Sequence, residues 1–321
     1  MKNISHTIFF ILLASGFIST SFLYAEKSTK KKNKVKQITY AETVPKPTIT
    51  NIRYGEHERQ VFDFWKAESQ KPTPLVFVIH GGGWNANRKE SVDKFAEVES
   101  LLKAGISVVA INYRYIRNAV ADDVRPPVKA PLYDAARALQ HVRSMAKELN
   151  IDKRKIAATG GSAGACSSLW LAFNDDMANP DSDDLVRRES TRLFCVAVRG
   201  AQTSLDPKQM REWIPNIKYG GHAFGFSSFD NFLESRETVL KHIKQFSPYH
   251  LLSSDDPPVY LHYQHPPTLG ETSKNPTHST SFGVGLLEGC RAQGVNCELV
   301  YEGASHVKYA TMTEYLIAKL K

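Results

Sequence analysis

Short apolar runs alternate with longer amphipathic stretches along most of the chain. Residues 75–79 and 106–112 have the length and β-branched content of buried strands. Between such runs, residues 91–103 and 131–149 place apolar side chains at helical spacing. This alternation predicts an α/β fold, in which a mostly parallel sheet carries helices on both faces. Further strands are predicted over 48–53, 60–65, 155–159, 193–198, 259–263 and 297–301, and a closing helix over 311–320.

One segment interrupts the alternation just before the penultimate predicted strand. Residues 204–247 are rich in aromatic side chains and contain the flexible apolar run 220–226. Connections of this length are usually functional. Two interpretations stay open: a small cap over an active site, with 220–226 lining a pocket, or a satellite helical unit that makes no substrate contact.

The N-terminal residues 1–25 have the pattern of a secretory signal peptide. Lys2 precedes an apolar run that starts at residue 8, and Ala25 offers a small residue for cleavage. The alternative is an uncleaved membrane anchor, because the apolar stretch is fairly long and Tyr24 is not small. The segment predicts a secreted or periplasmic protein, or a membrane-anchored one if the signal is retained.

The formal net charge of +8 is concentrated in one segment. Residues 26–36 contain six lysines and one glutamate, which makes 26–47 a lysine-rich linker and leaves the domain from 48 to 321 nearly neutral. A nearly neutral domain argues against a nucleic-acid partner. The linker is a solvated spacer or a tether to anionic lipid or cell-wall polymer.

The cysteines and histidines give no sign of a metal site or cofactor. No Cys-x-x-Cys pair and no histidine–carboxylate cluster with ligand spacing is present in the sequence. Cys290 and Cys297 end a predicted helix and start the next strand, so they could form a disulfide in an oxidising compartment. Cys166 and Cys195 fall in apolar stretches and are expected to be buried thiols.

The pentapeptide at 160–164, Gly-Gly-Ser-Ala-Gly, carries the most chemical information. It lies between a predicted strand and a predicted helix, where a serine flanked by glycines forms a nucleophile elbow. The glycines allow a strained turn that exposes the Ser162 hydroxyl at the positive end of the helix. Ser162 is therefore the candidate nucleophile.

Two more motifs follow the ends of predicted strands. The His-Gly-Gly-Gly-Trp sequence at 80–84 follows the strand at 75–79, and His306 follows the strand at 297–301. Ligands bind at this edge of open α/β sheets. The bare amides of Gly81 and Gly82, together with that of Ala163, are the candidate oxyanion hole. His80 is expected to hold the loop and Trp84 to pack beneath it.

These motifs, in the order glycine loop, serine, histidine, resemble the α/β-hydrolase fold carboxylesterases and lipases that carry a His-Gly-Gly-Gly loop. That branch includes hormone-sensitive-lipase-like esterases and the acetyl and feruloyl esterases associated with polysaccharides. The resemblance spans about residue 48 to the C-terminus. It implies Ser162 as nucleophile and His306 as general base.

The third member of the triad departs from this pattern. Family members usually place an aspartate shortly after the strand that corresponds to 259–263, whereas no aspartate follows Asp256 in this chain. Glu271 is the only acidic residue between that strand and the next predicted helix. A carboxylate within hydrogen-bonding reach is enough to orient an imidazole, so Glu271 is the candidate acid. The other possibility is that no acid is present.

The leading functional hypothesis is a secreted serine carboxylesterase that works through an acyl-enzyme on a small-molecule or carbohydrate ester. The family resemblance and the predicted export favour small acyl groups on polysaccharide. A serine peptidase of the same fold is disfavoured, because no separate propeller-like domain is visible in the sequence. The alternative of a different class is a catalytically impaired hydrolase that binds a carbohydrate or a partner protein, and the missing aspartate motivates it.

Overall fold

A computed structural model describes residues 39–321. The predicted signal peptide at 1–25 and most of the predicted linker therefore lie outside the described residues, and those predictions stand as made. Within residues 39–321, no helix combines the length and the apolar composition that a membrane crossing requires.

Eight strands form one twisted sheet at the centre of the domain. Its order is β1-β2-β4-β3-β5-β6-β7-β8. The pairs that β2 forms with β1 and β4 are antiparallel, and all other neighbours are parallel. The strands are β1 Ile49–Arg53, β2 Val61–Trp65, β3 Thr73–Ile79, β4 Ser107–Ile111, β5 Ile151–Gly161, β6 Cys195–Arg199, β7 Val259–His262 and β8 Cys297–Val300.

Helices cover both faces of the sheet. They are α1 Val98–Lys103, α2 Ile116–Ala121, α3 Lys129–Ser144, α4 Ala146–Leu149, α5 Ala163–Phe173, α6 Pro207–Trp213, α7 Phe229–Glu234, α8 Arg236–Phe246, α9 Pro248–Leu251, α10 Ser281–Gln293 and α11 Met312–Leu320. Short 3-10 helices occur at Lys89–Lys94, Leu185–Arg188, Gly221–Phe224 and Pro276–His278. The α/β-hydrolase architecture that the sequence predicted is confirmed.

The central strand β3 shows why the sheet is buried on both sides. Leu75, Phe77 and Ile79 belong to the larger hydrophobic cluster, whereas Val76 and Val78 belong to the smaller one on the opposite face. Successive side chains of a strand point to opposite faces, so a strand covered on both sides must be apolar at every position. This explains the continuous apolar run in the sequence.

Two predicted helices are interrupted. Residues 91–103 form a 3-10 helix and then α1, with a break at 95–97, and residues 131–149 divide into α3 and α4. At the first break the Phe95 ring packs against the elbow: a Cβ added to Gly161 would lie 2.8 Å from its Cε1 atom. Helical periodicity alone cannot show that the helix breaks at Phe95 because the ring packs against Gly161.

The segment 204–247 precedes the penultimate strand β7, the position that the sequence predicted, and it is helical. It contains α6, the Gly221–Phe224 turn, α7 and α8. His222 Nε2 lies 3.2 Å from the carbonyl oxygen of Gly83, and Trp170 Nε1 donates to the carbonyl of Gln245 at 3.1 Å. The insertion therefore packs on the glycine loop and on α5.

Candidate active site

Ser162 occupies a strained turn between β5 and α5. Its backbone has φ 54° and ψ −123°, although serine has a Cβ that disfavours positive φ. The turn is held from both sides, because the Ser162 amide donates to the Arg199 carbonyl at 3.0 Å and its carbonyl accepts from the Cys166 amide at 2.9 Å. Such strain, over-determined by its surroundings, is typical of a functional serine.

The glycines at 160 and 164 let this turn press against β3. A Cβ on Gly160 would lie 2.5 Å from the carbonyl oxygen of Ile79, and one on Gly164 would lie 2.1 Å from the same atom. No side chain fits at these distances, so the Gly-x-Ser-x-Gly spacing is a packing requirement of this elbow. The predicted nucleophile elbow therefore has the expected geometry.

The glycine loop lies directly beside the elbow. A Cβ on Gly81 would lie 2.5 Å from the Gly161 carbonyl oxygen and 3.5 Å from Ser162 Cβ. The amides of Gly81 and Gly82 donate to no backbone acceptor within residues 39–321. Ala163 is the first residue of α5, where an amide has no intrahelical partner. Amides without acceptors beside a serine can bind an oxyanion.

His80 and Trp84 support this loop, as predicted. The buried His80 ring contacts the Gly81 carbonyl through Nδ1 at 2.8 Å and stacks on Tyr113 with centroids 4.2 Å apart. Burial lowers the pKa of His80 to about 3, so the ring stays neutral. Trp84 is fully buried and its Nε1 donates to Ser167 Oγ at 2.9 Å.

The histidine that meets Ser162 is His278. Its Nε2 lies 2.9 Å from Ser162 Oγ, which is the geometry of a hydroxyl that donates to a neutral imidazole. The ring is half-buried, and burial together with the charge of Arg199 lowers the pKa of His278 below its ordinary value of 6.5. A neutral ring can take the serine proton near pH 7.

Two residues that follow β6 place His278. Gln202 Nε2 donates to the Thr277 carbonyl at 2.5 Å, which fixes the backbone next to the histidine. Gly200 has φ 55°, and a Cβ there would lie 3.3 Å from His278 Cδ2. The 3-10 turn Pro276–His278 is thus anchored to the connection after β6, the strand that neighbours β5.

The structure does not place His306 where the sequence predicted, and His278 takes that position. His306 is exposed at φ 58° in the connection between β8 and α11, and the hydroxyl of Ser162 bonds His278 instead. Since β8 is the edge strand, three strands from β5, a loop that starts there must cross about 14 Å of sheet to reach the elbow. The turn that carries His278 follows β7, two strands from β5, and contacts with Gln202 and Gly200 hold it beside the elbow.

Glu271 is also corrected by the structure. It is exposed in a turn closed by its amide and the Thr268 carbonyl at 3.0 Å, and the partner of His278 is Asn275, whose Oδ1 lies 3.3 Å from Nδ1. An amide oxygen can accept from Nδ1–H and so fix the tautomer in which Nε2 faces the serine. It carries no charge, so it stabilises an imidazolium less than a carboxylate would.

The signal for His278 and Asn275 was present in the sequence. The sequence favours His306 over His278 as the base, because His306 follows the last predicted strand and His278 does not. The Asn-Pro-Thr-His sequence at 275–278 puts an amide and an imidazole three residues apart on one tight turn. The sequence does not show that this turn is held against Gly200 and Gln202, which brings His278 to Ser162.

A cavity of about 500 Å³ opens at Ser162. It is lined by Phe95, Gly161, Ser162, Arg199, Gly200, His262, Tyr263, Gln264, His265, Asn275 and His278. No residue of 204–247 lines it, so the expectation that 220–226 line a pocket is not met at this cavity.

The cysteines and the possible metal ligands were the remaining candidates for site chemistry. Cys166, Cys195 and Cys290 are buried, and all four cysteines are free thiols. A hydrogen bond with Cys290, together with burial, raises the pKa of the Cys297 thiol well above its usual range. The Cys290–Cys297 disulfide remains a prediction for an oxidising compartment. No group of three or more metal-ligating side chains is clustered within residues 39–321.

Known proteins with similar sequences include several that are described as ester hydrolases. The chain is 33% identical over 141 residues to the probable carboxylic ester hydrolase LipM of Mycobacterium tuberculosis. That match covers 42% of this chain and 31% of LipM. The chain thus spans about a third of the length of the curated relatives it matches.

Solved structures share the fold across most of the chain. A truncated carbohydrate esterase from gut microbiota superposes with a TM-score of 0.61 at 20% identity, covering 82% of this chain and 90% of that one. An acetyl ester-xyloside bifunctional hydrolase from Caldicellulosiruptor lactoaceticus gives 0.58 at 22% identity, covering 81% and 87%. These likenesses confirm the α/β-hydrolase fold.

A family model also matches the sequence. The BD-FAE model matches residues 63–265, which is more than half of the chain. The matched range includes the glycine loop and Ser162 and ends before Asn275 and His278. With the elbow, the loop and the esterase relatives, this match confirms the resemblance drawn from the sequence. The chain belongs to the BD-FAE family.

Proposed function

We propose that this protein is a serine carboxylic-ester hydrolase that works through an acyl-enzyme. Ser162 is the nucleophile, His278 the general base, and Asn275 orients the imidazole. The observation that carries the proposal is the 2.9 Å separation of Ser162 Oγ and His278 Nε2 beside the unpartnered amides of the glycine loop. The predicted roles of His306 and Glu271 pass to His278 and Asn275.

In the first half-reaction Ser162 Oγ attacks the ester carbonyl carbon while its proton moves to His278 Nε2. The carbonyl oxygen becomes an oxyanion, which the amides of Gly81, Gly82 and Ala163 stabilise. Collapse of the tetrahedral intermediate breaks the bond to the alcohol oxygen, which takes the proton from Nε2. The product is an alcohol and an acylated Ser162.

In the second half-reaction water replaces the alcohol. His278 Nε2 accepts a proton from the water as its oxygen attacks the acyl carbon, and the same amides hold the second oxyanion. The intermediate then collapses, Ser162 recovers its proton from Nε2, and the carboxylic acid leaves. No group other than water is consumed.

Small acyl groups on carbohydrate are the substrate class we favour. The support is that one structure with the same fold is described as a carbohydrate esterase and another as an acetyl ester-xyloside hydrolase. Export by the segment at 1–25, and a tether through the lysine-rich linker if the signal is retained, belong to the same proposal. N-terminal sequencing of the protein from extracellular and membrane fractions tests both.

Trapping of the serine tests the proposed mechanism. A fluorophosphonate probe is expected to label the wild-type protein and not Ser162→Ala, because only an activated serine reacts at a useful rate. Ser168→Ala is the matched control, since Ser168 Oγ is buried and donates to the Gly164 carbonyl at 2.9 Å. Hydrolysis of 4-nitrophenyl acetate should follow the labelling. Equal turnover by wild type and Ser162→Ala would refute the proposal.

The second candidate is a catalytically impaired hydrolase that binds a carbohydrate or a partner protein. The observation that favours it is that the residue facing His278 Nδ1 is an amide and not a carboxylate. Absence of serine-dependent turnover, together with retention of an acetylated oligosaccharide in equilibrium dialysis, would support this candidate. Labelling of Ser162 with turnover supports the hydrolase.

A further inference from the structure

Arg199 is a cation at the cavity that no carboxylate neutralises. Within residues 39–321, no Asp or Glu oxygen lies within 4.0 Å of its guanidinium, although the side chain is exposed. Some other arginines of the domain do have a carboxylate partner, for example Arg192 with Asp255 at 2.7 Å and Arg236 with Asp206 at 2.6 Å. Arg199 is therefore open to an anion from solution.

The backbone at Arg199 is fixed next to the nucleophile. Its carbonyl accepts the Ser162 amide at 3.0 Å, and in the sheet it pairs with Gly161 on one side and His262 on the other. The side chain then runs along the cavity wall: Cγ would lie 3.4 Å from a Cβ on Gly161, and Cζ lies 5.9 Å from the Phe95 ring centroid. The cation is thus built into the site.

The cavity around it contains one fixed charge. Among the described residues that line it, Arg199 is the only lysine, arginine, aspartate or glutamate. On the far side of Arg199, an adjoining depression carries Asp93 and Glu97 beside Lys94, but neither carboxylate pairs with the arginine. Burial, and after it the charge of Arg199, lowers the pKa of both His262 and His278, which line the same cavity.

We propose that Arg199 selects esters whose alcohol part carries an anionic group, a carboxylate or a sulfate-type group, near the scissile bond. The inference rests on the proposed esterase function. Since the favoured acyl groups are small and neutral, the negative charge of such a substrate lies on the alcohol. A guanidinium binds a carboxylate or sulfonate with two parallel hydrogen bonds, which gives both orientation and affinity.

Three acetate esters of the same acyl group test the selection. They are 3-acetoxybenzoate, 3-acetoxybenzenesulfonate and the neutral methyl 3-acetoxybenzoate, each followed by release of the phenol. The wild-type enzyme is expected to show about ten-fold higher kcat/KM for at least one anionic ester than for the neutral one. The two anionic arms distinguish a carboxylate from a sulfate-type ligand. The preference should shrink in 0.5 M NaCl, because salt screens an exposed cation.

Arg199→Gln should bring the anionic-to-neutral ratio of kcat/KM close to one, whereas Arg199→Lys should keep part of it. The control is Arg154→Gln, an exposed arginine near the opposite end of β5, which should leave the ratio unchanged. A wild-type ratio near one, or a ratio that stays the same in Arg199→Gln, overturns the inference. The esterase proposal is unaffected by that result as long as the wild type hydrolyses 4-nitrophenyl acetate. If the wild type hydrolyses none of the esters, the esterase proposal itself is refuted.

Discussion

The loop after β7 and the loop after β8 both carry histidines, and the one that bonds the serine is His278, after β7. His278 is half-buried and hydrogen-bonded on both ring nitrogens, to Ser162 and to Asn275. His306 is exposed in a loop whose residues 302–308 are almost all exposed. The two loops follow neighbouring parallel strands, so their strand positions alone do not explain the difference.

The difference lies in what each loop is attached to. The turn that carries His278 is bound through Gln202 and Gly200 to the connection after β6, beside the elbow. The loop after β8 starts at the sheet edge, and its contact with the domain is made by Tyr309, whose carbonyl accepts from Tyr260 at 2.9 Å. The contacts that hold its loop thus position the proposed base, whereas the order of the strands along the chain does not.

Removal of each imidazole in turn tests most directly which histidine is the base. His278→Ala should lower kcat/KM for 4-nitrophenyl acetate by about 10³-fold, because general-base assistance contributes on the order of 10²–10⁴. His306→Ala, which removes an exposed side chain, should stay within about two-fold of wild type. The reverse ranking would return the role of base to His306 and contradict the assignment made here.

A glycine pair tests whether the anchoring of the first loop matters. Gly200→Ala and Gly303→Ala both place a Cβ at positive φ, 55° and 84°, and each should be destabilised by roughly 1 kcal/mol. Only the Cβ at 200 approaches His278, at 3.3 Å from Cδ2; nothing lies within 4 Å at 303. We therefore expect kcat to fall about ten-fold or more in Gly200→Ala alone.

The two variants need two measurements, thermal unfolding and steady-state kinetics. Similar decreases in Tm with unequal kcat values would separate placement of the imidazole from general destabilisation. Equal kcat values would show that the Gly200 contact does not position His278, and the anchoring argument would then rest on Gln202 alone.

The sheet, the elbow and the glycine loop could be predicted from the sequence because their determinants are local. The buried run of β3 needs apolar side chains on two faces, and the glycines at 160 and 164 are required by contacts with the end of that strand. The proposed base, His278, and the residue proposed to orient it, Asn275, could not be predicted in the same way. Their positions depend on contacts between residues 200–202 and 277–278, which no local pattern reveals.

The orienting group offers a test of smaller size. Asn275→Ala should lower kcat by roughly ten-fold, since the Nδ1–H of His278 would lose the acceptor that fixes its tautomer. Asn275→Asp should raise kcat by several-fold, because a carboxylate stabilises the imidazolium that forms in the transition state. The measurement is kcat for 4-nitrophenyl acetate, at a pH where the His278 imidazole is neutral in the wild type and in both variants. An Asp variant as slow as the Ala variant would show that residue 275 does not face the imidazole during turnover.

The pH profile gives the smallest effect and the finest distinction between the two loops. The groups that face His278 are Ser162, Asn275 and the cations or neutral rings of the cavity, Arg199, His262 and His265, with no carboxylate among the lining residues. Burial and Arg199 lower the pKa of His278, and a protonated imidazole cannot accept the serine proton, so activity is lost as the pH falls through that pKa. The acid limb of kcat/KM in the wild type should therefore have its midpoint below about 6.5, the ordinary histidine value.

Asn275→Asp should move that midpoint upward by adding a negative charge, and His306→Ala should leave it in place. A wild-type midpoint above 6.5, or one that moves only in His306→Ala, would mean that the base is not the imidazole beside Arg199.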